Sequence, residues 1–205
     1  GASAMVANTT GAQNVAVGFY ALDANTTAND NTAVGYQALT ANTTGASNVG
    51  VGKDALLVHT TGISNVAVGM NALKASTTAT LNVAVGYAAG AAFESGSNNT
   101  SIGSYAHNAA YGQQNTAVGD RAGLSLTSAN YNTFFGNRAG HNTTTGNSNV
   151  CVGNYARTGG VDTVNSIILG DNLYGESNDF AFGKASNVVT CDFDADADFA
   201  RSSDI

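Results

Sequence analysis

A few side chains in this 205-residue chain are of the types that do chemistry. Gly50-Val51-Gly52-Lys53-Asp54-Ala55 fits G-x-G-x-x-A, the turn that lets a backbone approach a dinucleotide pyrophosphate. That chemistry needs a surrounding βαβ unit, and none is legible here. Asp192, Asp194, Asp196 and Asp198 alternate with Phe193, Ala195, Ala197 and Phe199. Spaced carboxylates are candidate Ca²⁺ ligands, but an EF-hand loop needs Gly at its sixth position and Glu at its twelfth, where Ala197 and Ser203 stand. A strand with one acidic and one apolar face accounts for the same pattern. His59, His107 and His141 have no Glu or second His at metal or general-base spacing, so they read as loop histidines without chemistry. Cys151 and Cys191 are too few for a disulfide framework or a zinc site. Cys151 reads as a buried, inert thiol, with pairing to Cys191 as the alternative. No Ser-His-Asp order or paired-carboxylate cleft is recognisable, so neither an enzyme nor a cofactor is expected. The catalytic alternative is a depolymerase with its acids on neighbouring subunits.

Polar pairs raise two further classes. Asn8, Asn25, Asn42 and Asn142 begin Asn-x-Thr sequons, and Thr26-Thr27, Thr43-Thr44, Thr60-Thr61 and Thr77-Thr78 would stack into a Thr array. Ice binding by such an array wants Thr-x-Thr, because adjacent strand residues point to opposite faces.

All of these residues sit in a repeat, and the repeat is what must position them. A glycine recurs at Gly18, Gly35, Gly52, Gly69, Gly86, Gly103, Gly119, Gly136, Gly153 and Gly170, in steps of 17 with a single 16 before Gly119. A last step of 13 reaches Gly183. Asn stands four residues before nine of these glycines, from Asn14 to Asn149, and Ala stands three after, from Ala21 to Ala156. The residue just before each glycine is large and apolar, as at Val17, Ile102, Phe135 and Leu169. A short β-branched run ending in Gly suits a strand and a turn, and 17 residues are too few for a helix pair. The expected fold is all-β: a parallel solenoid of about ten 17-residue coils over residues 1–175, stacked at about 4.8 Å, with an acidic cap or transition segment over 176–205. Stacking sets each Asn above the next, which suits a side-chain hydrogen-bond ladder.

The middle strand residue is apolar as well, so both faces of the strand call for cover. One face packs inside its own coil, and the other needs a neighbour. Ala16, Ala33, Ala67, Ala84, Ala117, Phe134 and Ile168 are the residues assigned to a subunit interface, in a homotrimer closed by cyclic symmetry. A dimer satisfies the same argument. Composition agrees with a covered strand, because only 10% of residues are charged against about 25% in ordinary domains. The net charge of −7 argues against a nucleic-acid partner, and no apolar run approaches the roughly 18–20 residues of a membrane span. Residues 1–160 balance five acids with five bases, so the −7 lies wholly in residues 161–205. Gly1 begins without a basic flank or apolar run, so no signal peptide is expected.

The Asn-x-Ala-Val-Gly-x-x-Ala unit resembles the head repeat of trimeric autotransporter adhesins, which are trimeric left-handed parallel β-rolls. Asn31 to Gly45, NTAVGYQALTANTTG, is similar to repeats in phage virion proteins, above all cyanophage tail fibres. The likeness covers roughly residues 1–170. It implies a homotrimeric virion fibre or appendage, extracellular, in contact with other virion proteins and a host-surface glycan or protein. The competing implication is a bacterial trimeric surface adhesin. Arg201-Ser202-Ser203-Asp204-Ile205 resembles the opening of an endosialidase-type intramolecular chaperone, which makes Ser203-Asp204 the implied maturation junction. The downstream Arg and Lys of that motif do not follow within the chain. The first five coils read as shaft. From Gly86 onward, Phe93, Tyr105, Tyr111, Tyr131 and Phe134 replace standard residues, and Tyr105, Tyr111 and Tyr131 are the receptor-contact candidates.

Overall fold

A computed structural model describes residues 1–107 and 111–192. We number the coils 1 to 10 by their glycines, Gly18 to Gly170. Each of the first nine coils contributes one three-residue strand: β1 (Val15–Val17), β2 (Thr32–Val34), β3 (Val49–Val51), β4 (Val66–Val68), β5 (Val83–Val85), β6 (Thr100–Ile102), β7 (Thr116–Val118), β8 (Thr133–Phe135) and β9 (Val150–Val152). After the short β10 (Arg157–Thr158), the sheet continues with β11 (Ile167–Asp171). Then come β12 (Tyr174–Gly175), β13 (Asp179–Lys184) and β14 (Asn187–Asp192). The main sheet runs β1 through β9, then β11, β13 and β14. Pairing is parallel in register at every step up to β13, as in Val15↔Thr32 and Val34↔Val51. Parallel stacking thus carries on through β13, inside the segment expected to be a cap. The antiparallel β14 then covers the outer edge of β13, which an exposed strand edge needs.

Two further sides of each coil are tied to the next by backbone bonds. Leu22, Leu39 and Leu56 donate to Ala38, Ala55 and Ala72 at 3.0 Å each, and Thr43 and Thr60 donate to Thr60 and Thr77 at 3.0 and 2.9 Å. Corners this tight need left-handed backbone. The residues two and four past the glycine therefore have φ near +55°, as at Gln37 (+55°) and Leu39 (+53°). The repeat glycine itself is obligatory: at Gly86 φ is +134°, and a Cβ would lie 2.6 Å from the Gly103 carbonyl oxygen.

The core is a thin line. Ala33, Ala67, Ala84 and Ala117 point into the coil from the strands, facing Ala and Leu side chains such as Ala38, Leu39, Ala72 and Leu73. Where the Leu position becomes Gly90, Gly123 or Gly140, rings fill the space. A Cβ on Gly140 would lie 2.5 Å from the Phe134 ring, and one on Gly90 would lie 3.2 Å from Phe93. Phe93 and Phe134 are therefore repacked core, not surface.

Buried asparagines run beside this core. Asn82 donates to Gly96 O at 2.8 Å and to Asn65 Oδ1 at 3.2 Å, while its own Oδ1 accepts from the Asn99 backbone at 2.9 Å. The same pattern links each rung from Asn31 to Asn149 and ends at Ser166. A second ladder joins Asn8, Asn25 and Asn42. His59 takes the equivalent place in the next coil, with Nε2–H donating to Gly62 O (2.9 Å) and Nδ1 beside Ser76 Oγ (3.1 Å).

This geometry reverses the interface assignment. Ala33, Ala67, Ala84, Ala117, Phe134 and Ile168 have no exposed surface within a single chain, and Ala16 packs half-buried against the same core. The middle residue faces inward and is small in most coils because the interior is narrow; Phe134 and Ile168 fit there where Gly123, Gly140 and Gly175 leave room. The flanking residues, not these, face outward.

Candidate functional site

The outward face of the strands is the first surface of note. It presents Val, Thr, Ile, Leu and Phe, with no charge from β1 to β9; Asp171 and Lys184 enter only at the ends of β11 and β13, where they pair at 3.8 Å. Val15 (49% exposed), Val17 (55%) and Phe135 (56%) are its most open apolar positions, and Val85, Ile102, Val152, Leu169 and Phe182 are exposed as well. At about 4.8 Å per strand the stripe spans roughly 50 Å. A continuous apolar stripe of that length is unusual on a free monomer.

The second surface is the corner that follows the strand. Every base among the described residues lies within five residues after a repeat glycine: Lys53, Lys74, Arg121, Arg138, Arg157 and Lys184. In coils 6 to 9 the second residue past the glycine reads Tyr105, Arg121, Arg138, Tyr155. Their backbone amides bond to the preceding coils at 2.8–2.9 Å, which keeps the four in one row. The Arg121 guanidinium lies 5.8 Å from the Tyr105 ring centre and that of Arg138 lies 5.1 Å from Tyr155, so each arginine stacks on the tyrosine on its far side. Arg138 also donates to the Tyr155 hydroxyl. Arg157 donates to Asn172 Oδ1 at 2.9 Å and sits 6.0 Å from the Tyr174 ring. Asp120 pairs with Arg121 at 3.2 Å and accepts from Asn137 at 3.3 Å. Neighbouring Tyr87 packs edge-on to Tyr105 at 5.1 Å, and its hydroxyl holds the Tyr105 phenol above the usual range.

The three receptor-contact tyrosines are not brought together. Tyr105 belongs to this row. Tyr111 and Tyr131 are exposed on the opposite stretch of the coil, where the Tyr111 hydroxyl donates to Glu94 Oε2 at 2.9 Å, and that carboxylate raises its phenol. Arg121, Arg138 and Tyr155 escape a reading of single residues. Stepping by one repeat from Tyr105 finds them.

The groups that looked chemical resolve into structure. His59 and His107 lie between the strands and are fully buried. Burial lowers His59 and pushes His107 down to about 3. Cys151 is a free, buried thiol raised by burial to about 12, and Cys191 is free as well. Gly50-Val51-Gly52 is β3 and its turn, stacked between coils with no helix following. The hydroxyls of Thr26, Thr43, Thr60 and Thr77 are spent on the carbonyl of the next coil. Among the described residues no cluster of His, Cys, Asp or Glu is placed to hold a metal, and no helix is long and apolar enough to cross a membrane. Asp192 ends β14. Asp194, Asp196, Asp198, Ser203 and Asp204 lie outside the described residues.

The chain matches no family model, no curated protein and no solved structure.

Proposed function

We propose that this chain is a structural and adhesive segment of a homotrimeric viral fibre or appendage, a left-handed roll that holds a host-recognition face away from the virion. The observation that carries the reading is the apolar stripe along the strands from Val15 to Phe182, which is free of charge from β1 to β9. Water contact along its length is costly, and three copies packed stripe to stripe about a cyclic axis bury it without leaving an open end. Its role is mechanical and non-catalytic: coils stacked in register make a stiff spacer. The sequence likeness to cyanophage fibre repeats supports the viral setting, with the host surface and other virion proteins as partners. A bacterial trimeric adhesin would use the same stripe. Any continuation beyond Ile205 would separate the two: Arg-Leu-Lys would mark the fibre, and a membrane-anchor barrel the adhesin.

Light scattering on the purified chain tests the assembly. Three times the 20.5 kDa chain mass is expected, and Val85→Asp, which puts a charge on the stripe, should release monomers. A 20.5 kDa particle at micromolar concentration refutes it.

A further inference from the structure

We propose that the row Tyr105, Arg121, Arg138 and Tyr155 binds a linear acidic glycan, carboxylated or sulfated. The inference rests on the reading of the rod as a recognition segment and names the ligand class of its face.

Backbone conformation is the first support. All four residues have φ of +53 to +54°. That region costs a side chain with a Cβ about 1–2 kcal/mol, less for Asn or Asp. Other coils place Tyr20, Gln37, Asp54, Asn71, Ala88 and Asn172 at the same point of the repeat, all with positive φ. The leucines two residues further on share the conformation, but burial in the core offsets the strain. These Tyr and Arg side chains lie in the half-exposed rim, where no such burial compensates. The conformation belongs to this corner in every coil; coils 6 to 9 differ in holding Tyr and Arg side chains there, in one half-exposed row.

Electrostatics is the second. Neither Arg138 nor Arg157 pairs with a carboxylate among the described residues, and Asp120 alone offsets Arg121. Coils 7 to 9 therefore carry three arginines against one acid along this corner, a local excess of +2 on a chain of net −7. Arg121 and Arg138 sit in adjacent coils and stack on tyrosines on opposite sides, away from each other, with Asp120 the one carboxylate beside them. Their planar forks suit the paired oxygens of a carboxylate or sulfate.

Spacing is the third. Coils repeat at about 4.8 Å, close to the length of one sugar ring in an extended chain. Acidic groups on a glycan running along the rod would meet successive arginines, while sugar faces reach the half-exposed tyrosines at either end. Two arginines are few for a nucleic acid, whose binding relies on releasing many counterions.

Binding is measured on the intact assembly with polygalacturonate, dextran sulfate, neutral dextran and single-stranded oligonucleotide. The test compares wild type with Arg121→Gln/Arg138→Gln, with Tyr105→Asn/Tyr155→Asn, and with Lys53→Gln as control. Asn suits the left-handed backbone, so the tyrosine variant keeps the fold. Wild type should bind polygalacturonate, dextran sulfate or both, more weakly in high salt, and should ignore neutral dextran. The response to the two polymers identifies the acid. Loss of each arginine should weaken binding roughly tenfold, with Lys53→Gln unchanged. Failure to bind either acidic polymer, equal binding by the variants, or tighter binding of oligonucleotide overturns the proposal. Particle mass is recorded for each variant. Unchanged mass with lost binding supports the site independently of assembly, and a change of mass places the row in the subunit contact and overturns it.

Discussion

Replacing His107 by Leu should remove an acid-labile point from the middle of the rod. The His107 ring is fully buried, packs edge-on to Phe93 at 4.5 Å, and neither ring nitrogen has a hydrogen-bond partner among the described residues. Burial alone drives its pKa from 6.5 to about 3. Below pH 6.5 the unfolded chain takes up a proton that the folded chain refuses, so stability falls with pH until about pH 3. At about 1.4 kcal/mol per unit, wild type loses about 2 kcal/mol on this account between pH 6.5 and pH 5. Leu already occupies this point of the coil at Leu22, Leu39, Leu56 and Leu73, with φ of +49 to +54° against +45° at His107. His107→Leu should therefore match or exceed wild type at pH 7, since it also removes buried, unpaired nitrogens worth about 1–3 kcal/mol each. Denaturant or thermal melts at fixed protomer concentration, repeated from pH 7 to pH 5, give the difference. The gap should widen by about 2 kcal/mol, while His59, present in both proteins, cancels. A gap that stays constant, or an NMR titration of His107 near pH 6 in the folded protein, refutes the reasoning.

Two other substitutions test the frame. Asn82→Ala orphans Gly96 O and the Asn99 amide in a dry interior, so it should cost at least about 3 kcal/mol and strip hydrogen-exchange protection from the flanking coils first. Gly86→Ala brings a Cβ to 2.6 Å from Gly103 O and should lower stability by at least about 2–3 kcal/mol in thermal melts. Gly50→Ala, at an inward strand site whose nearest neighbour is the Leu39 side chain at 3.3 Å, should move stability by less than about 1 kcal/mol.

The period, the solenoid and the asparagine ladder were legible because stacking repeats each position at one fixed step. Which strand face points inward was not, because hydrophobic alternation carries no signal when both faces are apolar. Size carries it in most coils: Ala33, Gly50, Ser101 and Cys151 are the inward residues beside outward Val34, Val51, Ile102 and Val152, while Phe134 and Ile168 go inward where glycines leave room. The burial of His59 and His107 was not legible for a related reason. Alignment of the coils sets His59 with Asn25 and Asn42, and His107 with the leucines, all buried. The Tyr-Arg row was hidden because its members stand 16 and 17 residues apart in sequence, so no local window holds two of them.

The hydrogen bonds between coils run along the rod, so the coils act as links in a series chain under axial load. A pull is felt equally at every coil-to-coil junction, and the rod parts at the weakest one rather than yielding along its length. Coil 6 is that link. It is one residue short and carries Ser101 and His107 with no hydrogen-bond partner among the described residues, between coils whose leucine position has become Gly90 and Gly123. Tension and mild acid thus converge on one place, and rupture there would separate the regular N-terminal coils from those that carry Arg121, Arg138 and Tyr155.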